Sequence, residues 1–413
     1  MENLLPFSGR ATGRSIGPAG EALLSLCRRG TDAGETQRVV EALLEVATVG
    51  DFHSLADSHH VCGLALSSLQ KRLPTDLRAQ PEIAALLQPL RARRRRALLW
   101  QFELDRILRM LAGRHLRPIL LKGPALWLTA YADPVERRVS DLDVLVTPEE
   151  VDPTVQILVE AGYRAPPDLD MAAYKVHHFH FRLLHPKGFM VEVHWGLSQP
   201  ASQFRVDAPG LLRRAREASR DGVTAALVPS AEDMILHLSS QNLENNFSEL
   251  RRLVDLDRIV SGGAQLDWDY TAAAARAGGL QTVLALSLRL SRDLLGTDVS
   301  DPVLRTIDPP PLIAWHLDIL DPARSLLTQY GRHRAAQGRL LSLWLMVRWV
   351  DRMAALGGIL TAREYWLWTL HDPEGRVPSV SRRITTVIKL FAFQGWRYLV
   401  ASWRLPQRRR LRA

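Results

Sequence analysis

Apolar residues recur at helical spacing over most of this chain, and in a central stretch the period shortens to two. Leu, Val and Ala within 21–26 and 39–46 predict two early helices, with Gly30, Gly34 and Gly50 as punctuation. Residues 97–112 set Leu98, Phe102, Ile107, Leu108 and Leu111 as a stripe suited to packing on a sheet. Pro118, Ile119, Leu120 and Leu121 then read as a first strand. Gly123-Pro124 opens a helix behind it, since the missing N–H of proline is not needed in a first helical turn. A second strand carries the Asp pair and runs into Val144-Leu145-Val146; it places Asp141 and Asp143 on one face, with Leu142 and Val144 toward the core. Thr147-Pro148-Glu149-Glu150 has the form of a capping box, and the helix it starts runs through Leu158 and Val159 to Gly162.

Alternation returns at 178–184. Phe179, Phe181 and Leu183 take one face, and His178, His180 and Arg182 the other. His185-Pro186-Lys187-Gly188 is a turn, and the strand after it sets Val191, Val193 and Trp195 against Glu192 and His194, which predicts a hairpin. From 231 the spacing is helical again, through Met234, Ile235 and Leu238 and then Leu250, Leu253, Val254 and Leu256. Asp308-Pro309-Pro310-Pro311 reads as a linker, and 315–368 as a Trp-rich helical stretch. The pattern as a whole predicts an α+β protein: a helical region at 1–98, a mixed-sheet core at 99–200, a helical region completing it at 201–307, and a C-terminal helical region at 308–413.

Composition narrows the picture at three points. Cys27 and Cys62 are the only cysteines and lack metal-type spacing, which excludes a disulfide framework or a structural zinc site built on thiolates. The N-terminus lacks a signal-peptide pattern and no apolar run reaches 18 residues, so a cytoplasmic location is expected. The net charge of +9 resides in the tail, because residues 381–413 hold nine Lys and Arg and no acid. Nucleic acid is therefore not an expected partner of the body, and Arg91, Arg93, Arg94, Arg95 and Arg96, spread around one helix, read as solvated. Basic residues interleaved with Ile384, Val387, Phe391 and Tyr398, and flanked by Trp396 and Trp403, form an amphipathic tail. It suits peripheral contact with an anionic membrane, at its inner face in the cell, or docking on the protein's own surface.

The candidate chemistry lies in 119–194. Asp141 and Asp143, about 7 Å apart along one strand face, can share hard cations such as Mg²⁺, and Glu192 supplies a third carboxylate if its strand lies beside theirs. At the preceding turn Gly123 allows close backbone approach, the amides of Ala125 and Leu126 lie at a helix's positive end, and Lys122 adds a charge suited to phosphate. Five of the thirteen histidines fall between 177 and 194. His178 and His180 raise a transition-metal alternative, but no H-E-x-x-H or Cys partner accompanies them, and a polar sheet face lining a cleft is the other reading. His194, on the face of Glu192, is the best placed of the five. Arg251 and Arg252 fit either a triphosphate contact or surface ion pairs.

These residues carry a resemblance. Leu120-Leu121-Lys122-Gly123, Arg137, Asp141-Leu142-Asp143-Val144-Leu145-Val146 and Glu192-Val193-His194-Trp195 resemble the layout of an uncharacterised bacterial branch of the DNA polymerase β-type nucleotidyltransferases. The likeness covers about 99–200 and weakens through 260. The chain departs from most of that superfamily at the first turn, where Lys122-Gly123-Pro124 stands in place of Gly-Ser. The resemblance implies a nucleotidyltransferase-type mixed sheet and transfer of a nucleoside monophosphate from an NTP to an acceptor hydroxyl. It also implies two Mg²⁺ ions on Asp141, Asp143 and Glu192, with Lys122, Gly123, Arg137, Arg138 and His194 around the nucleotide. A phosphotransferase or metal-dependent phosphoester hydrolase on the same trio, or a non-catalytic nucleotide- or partner-binding module, are the alternatives. The acceptor is open.

Overall fold

The structure is a computed structural model; it describes residues 18–307 except 46–48, 166–174, 176–177, 199–201, 203, 246 and 264. The expectations for the 308–311 linker, the 315–368 stretch and the basic tail lie outside the described residues.

Helices α1 (Pro18–Cys27), α2 (Ala33–Glu45), α3 (Val49–Ser58), α4 (Cys62–Arg72), α5 (Thr75–Arg78) and α6 (Pro81–Leu87) precede the long α7 (Pro89–Ala112). The strands β1 (Ile119–Leu120), β2 (Leu142–Leu145), β3 (His180–Leu184), β4 (Met190–His194), β5 (Arg216–Arg220) and β6 (Val223–Val228) form one sheet in the order β3-β4-β2-β1-β6-β5. Between β1 and β2 lies α8 (Lys122–Thr129), and between β2 and β3 lies α9 (Val151–Glu160). Helix α10 (Ala208–Arg214) precedes β5. After β6 come α11 (Ala231–Glu244), α12 (Leu250–Val260), α13 (Trp268–Ala277), α14 (Gln281–Leu295) and α15 (Asp301–Ile307).

The sheet is mixed. β2 is parallel to β4 and antiparallel to β1, β1 is parallel to β6, and β3–β4 and β5–β6 are antiparallel hairpins. β1, two residues long, alone joins the hairpin β5–β6 to the other half. The Thr147/Glu150 capping box forms, on a short 3-10 turn that runs into α9, and Gly162 ends the helix at φ 94°.

Two expectations need correction. The region 201–307 is not purely helical, because β5–β6 extends the sheet there. On α7, Leu98 and Phe102 are exposed, while Trp100, Leu104, Ile107, Leu108 and Leu111 face inward. A 100° turn per residue sets Leu98 and Phe102 roughly opposite Leu104, and the buried Trp100 fixes which side faces the core. Among the five arginines, Arg93 pairs with Asp57 and Arg94 with Asp133; Arg91, Arg95 and Arg96 are exposed.

One cluster of buried apolar side chains extends from Ala22 on α1 through the sheet to Ile307. Polar ties bind its ends. Arg28 Nε donates to the Leu294 carbonyl and Arg258 Nη2 to the Cys27 carbonyl, at 3.0 and 2.8 Å. Cys27 and Cys62 are free thiols, and burial pushes them up to about 12 and about 11.

Candidate functional site

The parallel pairing of β2 with β4 sets Asp143 directly beside Glu192, and Leu145 beside His194. Both strands alternate, so the carboxylates share a face, and the apolar neighbours Leu142, Val144, Val191 and Val193 are fully buried on the other. Asp143, Glu192 and His194 are themselves buried, at 1, 6 and 1% exposure. One ligand atom from each of the three lies within 4.8 Å of the others. Asp141 stands outside this trio at the strand's mouth, partly exposed, and accepts a bond from Ser140 Oγ at 3.2 Å.

Lys122 completes the centre. Its Nζ donates to Asp143 Oδ1 at 2.7 Å, while His194 Nε2 donates to the same oxygen at 2.9 Å. The residue sits at φ 48°, a left-handed conformation that non-glycine residues seldom adopt. The strand before it is locked by Leu121 N–H on the Asp143 carbonyl, which aims the lysine side chain across the end of β2. Glu192 accepts two bonds from Arg182, at 3.0 and 2.8 Å, and lies 3.6 Å from His194 Nε2. The His180 ring stacks on His194 with centroids 5.0 Å apart, and Nδ1 of both rings is buried without a hydrogen-bond partner.

The electrostatics follow from burial set against this pairing. Burial alone would raise the Asp143 carboxyl, but Lys122 and His194 hold it far below its ordinary range. Burial would lower His194, yet its bonds to Asp143 and Glu192 raise it above 6.5. Lys122, also buried, is raised by Asp143 and Glu192. Asp141 is raised, by burial and then by the charge of Asp143. Burial and the neighbouring His194 press His180 down to about 4, so that ring is neutral at ordinary pH. Two carboxylates and an imidazole with this spacing make a donor set for a divalent cation, and Lys122 with protonated His194 supplies the positive charge that balances the carboxylates without one.

Other expected residues are placed differently. Gly123 is buried, and a Cβ there would come within 2.8 Å of Val139 Cγ2 and 3.5 Å of Arg137 Nη1, so it serves the close packing of α8 on the loop before β2. The Ala125 amide, expected to face a phosphate, donates instead to the Leu121 carbonyl at 3.5 Å, and Leu126 is fully buried. Arg137 is buried, with Nε 2.7 and 2.9 Å from the two carboxylate oxygens of Asp255 on α12. Arg138 is exposed, its Nη1 3.4 Å from His60 Nδ1. Arg251 and Arg252 both pair with Glu249, and burial and Arg137 lower Arg251 to about 10.

Three residues went unremarked as site residues in the sequence. Asp255 is fully buried and also accepts from Tyr131 Oη at 2.6 Å, anchoring the Arg137 loop. His237, on α11, is wholly buried with both ring nitrogens unpartnered; burial and the charges of Lys122 and His194 hold it well below 6.5. Glu244 is exposed, and its Oε2 accepts from Gln241 Nε2 at 2.8 Å. The signal was present as polar residues at 237, 241 and 244, which fall on one helical face of α11.

No helix among the described residues is long and apolar enough to cross a membrane. No curated protein matches the chain. The model of one protein family, described as an uncharacterised nucleotidyltransferase, matches residues 47–296, from α3 to the start of the turn after α14, and so takes in the whole sheet and every residue of the Asp143 centre. With more than half its length matched, and with the mixed sheet and paired acidic strands in place, the chain belongs to this uncharacterised nucleotidyltransferase family.

Proposed function

We propose that the protein transfers a nucleoside monophosphate from an NTP to an acceptor hydroxyl at the Asp143–Glu192–His194 centre, with Mg²⁺ as the divalent cation. The observation that carries this reading is the side-by-side placement of Asp143 and Glu192 on parallel strands, with an imidazole and a lysine in the same buried cluster. A bound divalent cation would supply charge neutralisation on the triphosphate and orientation of the attacking oxygen. Asp143, Glu192 and His194 would hold it, and Asp141, at the mouth, would hold a second ion beside the substrate.

The chain's own groups have distinct work in this scheme. Asp143 fixes Lys122, which opens α8 just after β1 and would present a compact positive charge to phosphate oxygens once Asp143 is otherwise satisfied. Glu192, held by Arg182, is the carboxylate placed to accept the proton of the attacking hydroxyl. Arg251 and Arg252 add positive charge on the α12 wall. Peripheral membrane contact through 381–413 belongs to the proposal on the charge and amphipathic pattern of that sequence.

Pyrophosphate release and calorimetric nucleotide titration test the assignment. Asp143→Asn is expected to lose cation-dependent nucleotide binding together with turnover. Glu192→Gln is expected to keep nucleotide binding while turnover falls about 10²-fold or more. Normal turnover in both variants would sink the reading.

A further inference from the structure

A second basic site lies beside the centre. A cavity of about 260 Å³ opens between α3, α4, α7 and the loop before β2, and Arg93, Arg96 and Arg138 line it with Asp57, His60 and Trp100. Arg93 is matched by Asp57 at 2.7 Å, but its Nε is buried without a partner. Arg96 and Arg138 are exposed and have no carboxylate within ion-pair distance among the described residues. His60, at φ 57°, reaches Arg138 with Nδ1, and burial together with Arg251 presses its ring down to about 4, so it contributes a neutral ring nitrogen and no charge. Buried Trp100 supplies an apolar wall.

The cavity is built into the packing. Gly63 on α4 lies so close to the Pro134–Glu136 turn that a Cβ would fall 2.1 Å from the Val135 carbonyl oxygen. That contact, with the Arg94–Asp133 pair, holds the loop against α4 and α7 and brings Arg138 into one lining with Arg93 and Arg96. Two guanidiniums without a carboxylate partner, Arg96 and Arg138, line this small cavity and are donors of the kind that phosphate oxygens accept. The volume suits a small molecule, below the usual span of drug-sized pockets.

Position gives the cavity its role. Arg138 and Val139 line it, and Asp141 follows three residues after Arg138, so at most about 11 Å of chain separates cavity and cation-binding mouth. We infer that this cavity binds the phosphate of a small phosphorylated acceptor and presents its hydroxyl to the Asp143 centre. The inference rests on the transfer reading for its second half, but the anion site stands or falls by itself.

The test is binding of inorganic phosphate to the full chain without nucleotide or divalent cation, measured by equilibrium dialysis at fixed ionic strength. Wild-type protein is expected to bind it saturably, with Arg96→Glu weakening binding about tenfold or more. Arg95→Glu makes the same charge change on the exposed neighbour that does not line the cavity, and is expected to bind as wild type. Absence of saturable binding, or equal loss in both variants, would overturn the anion site. A non-hydrolysable nucleoside triphosphate supplies the second arm. If it leaves phosphate bound, the cavity serves the acceptor. If it expels phosphate and its own affinity falls in Arg96→Glu as far as that of phosphate, the cavity belongs to the nucleotide and the acceptor assignment fails. Asp143→Asn, expected to leave phosphate binding intact, separates loss of this site from loss of the catalytic reading.

Discussion

Lys122 holds the position that a cation would contest, since its ammonium and the His194 imidazole both grip one oxygen of Asp143. Removing the lysine leaves a buried carboxylate with one partner fewer, a change that costs on the order of 3 kcal/mol. Lys122→Ala is therefore expected to melt at a lower temperature without divalent cation and to regain much of the loss when Mg²⁺ or Mn²⁺ is added, in contrast to the small response of wild type. Differential scanning calorimetry with and without cation checks it; equal cation responses would count against the Asp143 centre as the binding site. Protonation acts on the same atoms. His194 is raised above 6.5, so its contribution to stability is complete below 6.5 and is lost as pH rises through its folded value. Asp143 is depressed below 3.8, so its contribution is present above 3.8 and is lost as pH falls toward its folded value. A coordinating imidazole must give up its proton, so cation affinity is expected to strengthen as pH rises through the His194 value, with proton release. Calorimetry in two buffers of different ionisation enthalpy reads that release directly, and His194→Gln should abolish it.

At the scale of elements, the loop between α8 and β2 is tied down by Arg137 on Asp255, an ion pair with both partners buried. Arg137→Ala is expected to lower unfolding free energy by about 3–5 kcal/mol, because the Asp255 carboxylate is then left charged in the interior. A urea-denaturation cycle with Asp255→Asn should show strong coupling between the two; additive effects would mean that they act separately. This pair also shows where sequence stops being informative. Arg137 and Asp255 lie on elements distant along the chain, and nothing in their local pattern announces their contact. The neighbouring strands were legible because alternation and a turn are local: β2, β3 and β4 all follow it, and Asp143 does lie beside Glu192. The hairpin β5–β6 was missed although Asp221-Gly222 carries a turn signal, because Arg216–Arg220 is nearly all polar and has no apolar face to read. On α7 the apolar residues outnumber those one face can hold, and only the tertiary partner decides that Trp100 goes in and Phe102 out.

Across the whole molecule, helices before and after the sheet share a single core, so the Asp143 centre is framed by distant stretches of chain rather than by a detached unit. The two halves of the sheet meet only through β1. It pairs with β6 at Ile119 and Leu227 alone, whereas β2 and β4 are matched at four positions. Few ladder bonds make a region open at low free energy, so native-state hydrogen exchange is expected to release the amides of the β1–β6 seam well before those of β2 and β4. Uniform protection across the sheet would contradict this. Lys122 emerges directly from β1 and is carried on its end. The narrow strand thus behaves as a compliant joint: a small yield at the β1–β6 seam would let the β5–β6 hairpin shift, while Lys122, tied through Leu121 to the Asp143 carbonyl, stays with the strands that bear the carboxylates.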